Sequence, residues 1–164
     1  DFILDRLRGY YADQGFTGAQ FDAVADLRPA SLLDFGRRLR AIREFAALSE
    51  AEALAAANKR IRNILKKTDE TIPAQVDPQR LEASAERELN DAVNAAIAAT
   101  DPLLADRDYV GVLRRLAQLR APVDAFFDGV MVMADDAELR RNRLALLKRL
   151  ADRFSAVAEV ALLA

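Results

Sequence analysis

Ser49-Glu50-Ala51-Glu52-Ala53-Leu54-Ala55-Ala56-Ala57-Asn58-Lys59-Arg60-Ile61-Arg62-Asn63-Ile64-Leu65-Lys66-Lys67 places its apolar residues three and four apart, the repeat of one helix face. At about 100° per residue, Leu54, Ala57, Ile61, Ile64 and Leu65 fall on one stripe that calls for burial. Ser49 with Glu52 three residues on reads as a capping box, so a helix is expected from there to about residue 67. The same spacing persists on both sides. Ala is frequent, Gly and Pro are scarce, and runs of β-branched residues are nearly absent. The expectation is an all-α bundle of about seven or eight helices with no sheet.

Towards the N-terminus, a helix over about residues 1–14 carries Phe2, Leu4, Leu7 and Tyr11, and Gly15 suits its stop. Thr17 reads as the N-cap of a second helix to about residue 27, with Phe21 and Val24. Arg28-Pro29 closes it, and a third helix starts at Ser31 or Leu32, with Leu39, Ile42 and Phe45. Tyr10 and Tyr11 are expected to serve mainly as core.

Towards the C-terminus, residues 68–83 are the least regular, holding Thr68, Asp69, Pro73, Asp77 and Pro78. They are the candidate internal hinge of a single domain over 1–164. A fifth helix is expected over about 84–99, broken by Thr100-Asp101-Pro102. A sixth starts at Asp106 or Asp108 and runs to about 120. After Ala121-Pro122, the segment Val123-Asp124-Ala125-Phe126-Phe127 reads as a short apolar helix against the last one, with Asp124 and Asp128 capping or pairing with Arg143. Asp135-Asp136 opens the final long helix, where the dipole favours acid. Residues 156–164 read as an apolar helical end.

The chain has no Cys and no His, which removes disulfides, thiolates, the commonest metal ligand and Ser-His chemistry. No metal and no catalytic residue is expected within it. There is no phosphate-binding Gly-rich loop and no HEXXH-type helix. No apolar run approaches the roughly 20 residues of a membrane span, so a cytoplasmic setting without membrane contact is expected. The chain begins at Asp1 directly in helical pattern, the expectation for a part of a longer polypeptide. Net charge is −2, against a grip on long duplex DNA, so any nucleic acid must be held by a local patch.

Such a patch is at hand. Five of the ten residues from Asn58 to Lys67 are basic and none is acidic. Lys59, Arg62 and Lys66 take one flank opposite the apolar stripe, Arg60 and Lys67 the other, and Asn63 lies between. Two rows of cations suit phosphates, and an amide among them offers a donor and an acceptor to a base edge. Single-stranded RNA loops are read by that combination. The alternative is a solvated basic face whose C-terminal cations serve the helix dipole. Arg37 and Arg38 on the third helix are expected to join Lys66 and Lys67 if the two helices are antiparallel neighbours. Arg6 on the first helix is a further outer phosphate contact.

Three stretches together resemble one family. They are Phe2-Ile3-Leu4-Asp5-Arg6-Leu7-Arg8 with Gly15-Phe16 and Phe21-Asp22-Ala23-Val24; Ala55-Ala56-Ala57-Asn58-Lys59-Arg60-Ile61-Arg62-Asn63-Ile64-Leu65; and Leu119-Arg120-Ala121-Pro122-Val123-Asp124-Ala125-Phe126-Phe127-Asp128-Gly129-Val130-Met131-Val132-Met133 with Arg140 and Asn142-Arg143-Leu144. Over essentially the whole chain, they are similar to the DALR-type anticodon-binding domain that ends the β subunit of bacterial glycyl-tRNA synthetase. A literal Asp-Ala-Leu-Arg is absent; Ala117-Gln118-Leu119-Arg120 matches its last two letters. The resemblance implies a part of an ATP-dependent glycine–tRNA ligase whose partners are glycine tRNA, the rest of the β subunit and an α subunit in a heterotetramer. It implies that ATP and magnesium bind outside this chain. Lys59, Arg60, Arg62, Asn63 and Lys66, with Arg6, Arg37 and Arg38 outside them, are then the expected anticodon-loop contacts. The competing readings are a helical protein–protein interaction module and the anticodon domain of an arginyl- or cysteinyl-type synthetase.

Overall fold

Thr17 shows how the sequence sets the local structure. Its hydroxyl accepts from the Gln20 backbone N–H while the Gln20 side chain accepts from the Thr17 N–H, closing both ends of a capping box. In the computed structural model, which describes residues 2–164, this cap starts the second of eight α-helices. They are α1 (Phe2–Asp13), α2 (Gly18–Ala25), α3 (Leu32–Ala46), α4 (Ala51–Lys67), α5 (Ser84–Ala105), α6 (Tyr109–Ala117), α7 (Arg120–Gly129) and α8 (Ala137–Ser155). Short 3₁₀ turns occupy Pro78–Arg80 and Val160–Leu163. Among the described residues the fold is all-α, as expected.

The other caps follow the same chemistry. Ser31 accepts from Asp34 N–H, Asp108 from Gly111 N–H, and Asp136 from the N–H groups of Glu138 and Leu139. Gly15 ends α1 at φ +91°, where a Cβ would be strained. Two expectations about helix ends are corrected. Ser49 does not cap α4: its hydroxyl donates to the Glu50 carboxylate, and Glu50 takes the N-cap position. Thr100-Asp101-Pro102 does not break α5, which runs to Ala105 with Pro102 inside it. Leu103 and Leu104 beyond the proline pack on the core, and that burial outweighs one missing backbone hydrogen bond.

The core lies between α3, α4, α5, α6, α7 and α8. Leu39, Ile42, Leu54, Ile61, Leu89, Leu113, Leu116, Phe126, Leu144 and Phe154 are all fully buried there. Each such side chain contributes about 1.5–3 kcal/mol of transfer free energy. α3 packs on α6, α6 on α5 and α5 on α7, while α4 packs on α7, α8 and the final 3₁₀ turn. The helix holding Phe126 and Phe127 therefore seats against α5 and α4, where the last helix was expected. Tyr11, Phe16, Phe21 and Phe35 form an aromatic cluster with centroids 5.3–6.4 Å apart, tying α1 to α2 and α3. Tyr11 thus joins the packing as expected, whereas Tyr10 is exposed.

Residues 68–83 are fastened to α8. Arg140 donates to both Glu70 oxygens at 2.8 and 2.5 Å, Asn142 exchanges two hydrogen bonds with the Asp77 backbone, and Arg80 pairs with Glu138. Arg143 pairs with buried Glu86, not with Asp124 or Asp128; Asp124 pairs instead with Arg120 one turn away. Residues 156–164 form turns and a 3₁₀ segment rather than an α-helix.

Candidate nucleic-acid interface

The apolar stripe of α4 fixes where its cations point. Leu54 and Ile61 are fully buried, and Asn58 turns inward to donate to the Leu54 carbonyl at 2.9 Å. The opposite face is thereby forced outward. Lys59, Arg60, Asn63 and Lys67 line an open groove of about 530 Å³, together with Ala56, Ile64 and Ala164. Lys59, Asn63 and Lys67 are exposed and have no hydrogen-bond or ion-pair partner among the described residues. Their charge and amide face solvent uncompensated, the condition under which a phosphate and a base edge are attracted.

Arg60 is exposed as well, and its guanidinium lies over the Phe127 ring with Cζ 4.4 Å from the centroid. Arg62 sits to the side, half-buried, with Asp26 of the α2 C-terminus at 4.0 Å, too long for a strong pair. Lys66 is exposed and unpaired among the described residues, though outside the groove. Of the five residues expected on α4, the structure therefore gathers Lys59, Arg60 and Asn63 in one groove and leaves Arg62 and Lys66 on the flank.

The outer candidates stand elsewhere. Arg38 is consumed by the fold: it donates to Asp34 and to the carbonyls of Ala156 and Val157, each at 2.8 Å, and to the Tyr109 hydroxyl at 3.1 Å. Its donors face α6 and the end of α8, so it does not join Lys66 and Lys67 as expected from an antiparallel pairing. Arg37 is half-buried on α3. Arg6 lies over the Phe2 ring on α1, which packs on α2. Lys67, in the groove, and Phe127, which lies under Arg60, were outside the expected set. Lys67 is one helical turn beyond Asn63, a spacing legible in sequence, whereas Phe127 comes from α7 and only the packing of α7 on α4 brings it there.

Away from the groove, Asp34, Tyr109 and Arg38 form a hydrogen-bonded cluster between α3 and α6. Burial acts to raise the Asp34 pKa, but the hydrogen bonds from Tyr109 and Arg38 outweigh it and hold the carboxyl below its ordinary value. Burial, then the hydrogen bond to Asp34, raises the Tyr109 phenol. Among the described residues, no three His, Cys, Asp or Glu side chains gather as metal ligands, and no helix is long and apolar enough to cross a membrane.

The described residues thus form an all-α domain that turns one cationic, amide-bearing helix face to solvent. The family model of the DALR anticodon binding domain matches residues 54–159, and the chain belongs to that family. It is 62% identical over 160 residues to the glycine–tRNA ligase beta subunit of Xanthomonas campestris pv. campestris (strain 8004), covering 98% of this chain and 23% of that protein. The glycine–tRNA ligase beta subunit of Xylella fastidiosa (strain M12) is 54% identical over 98% of this chain and 22% of its own length. That of Pseudomonas aeruginosa (strain LESB58) is 50% identical over 99% of this chain and 24% of its own length. The chain thus spans about a quarter of the length of the curated relatives it matches.

Proposed function

We propose that this chain is the anticodon-reading part of a glycine–tRNA ligase beta subunit and holds the anticodon loop of glycine tRNA against the α4 groove. The observation that carries this reading is the row Lys59, Asn63 and Lys67, exposed and unpaired among the described residues, with Arg60 beside it. Lys59 and Lys67 bind phosphates at either end, with Lys66 and Arg62 adding to the field along the flank. Asn63 meets a base edge. In such a ligase, ATP and magnesium bind outside residues 1–164, and the remaining beta subunit and an alpha subunit complete a cytoplasmic assembly. The fragment contributes recognition and no bond-making step.

The test compares hairpin RNAs carrying glycine, arginine and cysteine anticodons for binding at several salt concentrations. The expected result is preference for the glycine hairpin that persists as salt weakens all three. Equal affinity for the three would overturn the glycine assignment, and a preference for another would transfer it.

A protein-interaction role has its own support. Tyr10, Leu32 and Leu33 are exposed around a cleft of about 300 Å³ between α1 and α3, and Phe2 is exposed on α1. Apolar exposure of that kind marks a protein contact. Leu33→Glu distinguishes the roles, because it removes a protein contact there and leaves RNA binding intact.

A further inference from the structure

The electrostatics of α4 alone make Arg60 one more phosphate contact. Its surroundings argue otherwise. The guanidinium lies over the face of Phe127, 4.4 Å from the ring centroid, so an aromatic ring already covers one side of it while the residue stays exposed. Asp124 and Asp128 stand on either side of Phe127 along α7 and are exposed, and Asp128 has no partner among the described residues, so the α7 side of Arg60 carries uncompensated negative charge. Neither carboxylate pairs with Arg60; Asp124 takes Arg120 at 3.5 Å. A neutral, flat group is the ligand that this arrangement favours.

The ring beneath Arg60 is held firmly. Phe126 next to it is fully buried and meets Phe127 edge-on at 5.6 Å between centroids. The Val130 N–H bonds the Phe126 carbonyl at 2.9 Å, and Arg143 clamps the Met131 carbonyl at 2.7 Å just beyond. A fixed ring restrains the long Arg60 side chain before any ligand arrives, so less conformational entropy is lost on binding. Asn63 follows Arg60 by three residues, which sets their Cβ atoms about 5–6 Å apart on the helix surface. A base lying on the guanidinium therefore presents its edge towards that amide.

Building on the RNA-loop reading above, we infer that Arg60, positioned by Phe127, is a stacking platform for one unpaired base of the bound RNA loop, not a phosphate clamp. The base packs on the solvent side of the guanidinium and Asn63 meets its edge. Lys59 and Lys67 take the backbone on either side. Stacking of bases on guanidinium planes is an established mode of single-strand recognition. Phe127 touches no RNA in this arrangement and acts through Arg60.

The experiment uses hairpin RNAs with a fluorescent purine analogue at each loop position in turn. Stacking quenches its emission. With the native protein, one loop position is expected to quench on binding. Arg60→Lys keeps the charge and removes the plane; affinity should fall roughly tenfold, the quench should vanish, and the salt dependence should stay unchanged. Phe127→Leu should reproduce part of that loss, and Phe127→Tyr should behave as native. If Phe127→Leu fails to fold, Arg60→Lys decides alone, because Arg60 is a surface residue. A native protein that binds a hairpin with no loop position quenched overturns the platform, as does an Arg60→Lys protein that binds and quenches as before. Absence of any hairpin binding by the native protein overturns the RNA-loop reading together with it.

Discussion

The Arg143 guanidinium donates to the Glu86 carboxylate at 2.8 Å, and Glu86 is wholly removed from solvent. Glu86 also accepts from the Ala83 N–H at the start of α5, and Arg143 also donates to the Met131 carbonyl. One buried pair thus joins α5, α8 and the segment after α7. Removing a single partner strands a charge in the core. Glu86→Ala should cost about 3–5 kcal/mol of unfolding free energy by urea titration. The double replacement Glu86→Leu with Arg143→Met should recover most of that loss. A double variant that loses the sum of the two single losses would show that the two charges are not coupled.

The Asp34 carboxyl, held below its ordinary value of 3.8, makes stability fall in acid. A depressed folded-state pKa contributes stability that is fully present above the unfolded-state value and is lost as pH drops through the folded-state value. Asp34→Asn should therefore flatten the part of the stability profile below about pH 4. Urea midpoints measured from about pH 6 to about pH 3 decide the matter, since an unchanged acid limb in the variant removes Asp34 as the source.

The groove residues have separable signatures. Lys59→Ala or Lys67→Ala should weaken binding to all hairpins alike and reduce the slope of log affinity against log salt by about 0.7 each. Asn63→Ala should leave that slope alone and cut discrimination between matched and mismatched loops by about 1–3 kcal/mol. A uniform loss on every loop sequence for Asn63→Ala would remove it from base reading.

Two glycines should respond oppositely to the same change. Gly15 sits at φ +91°, so Gly15→Ala should lower stability by about 1 kcal/mol. Gly9 lies within α1 with open space where a Cβ would stand, so Gly9→Ala should raise stability by about 0.5–1 kcal/mol. Thermal unfolding of both variants checks the signs.

Much of the fold was readable locally. The caps at Thr17, Ser31, Asp108 and Asp136, the stop at Gly15 and the start near Pro122 all rest on neighbours within a few residues. The misreadings were places where distant contacts intervened. Thr100-Asp101-Pro102 carries a strong local break signal, but core burial of Leu103 and Leu104 carries α5 through it. Ser49 has the right spacing to cap α4, but the tight turn from α3 directs its hydroxyl to Glu50.

The sequence by itself determined the helices, the buried stripe of α4 and hence which side of that helix must face water. Helical periodicity is a property of residue spacing, so Lys59, Asn63 and Lys67 were bound to emerge together. Which other helices meet that face is a matter of long-range packing, on which spacing is silent. Tertiary structure alone turned Arg38 inward to Tyr109 and the Ala156 and Val157 carbonyls, and brought Phe127 under Arg60. The cause is common to both: a guanidinium settles where its donors or its flat face find partners, and those partners lie on helices far away in the chain.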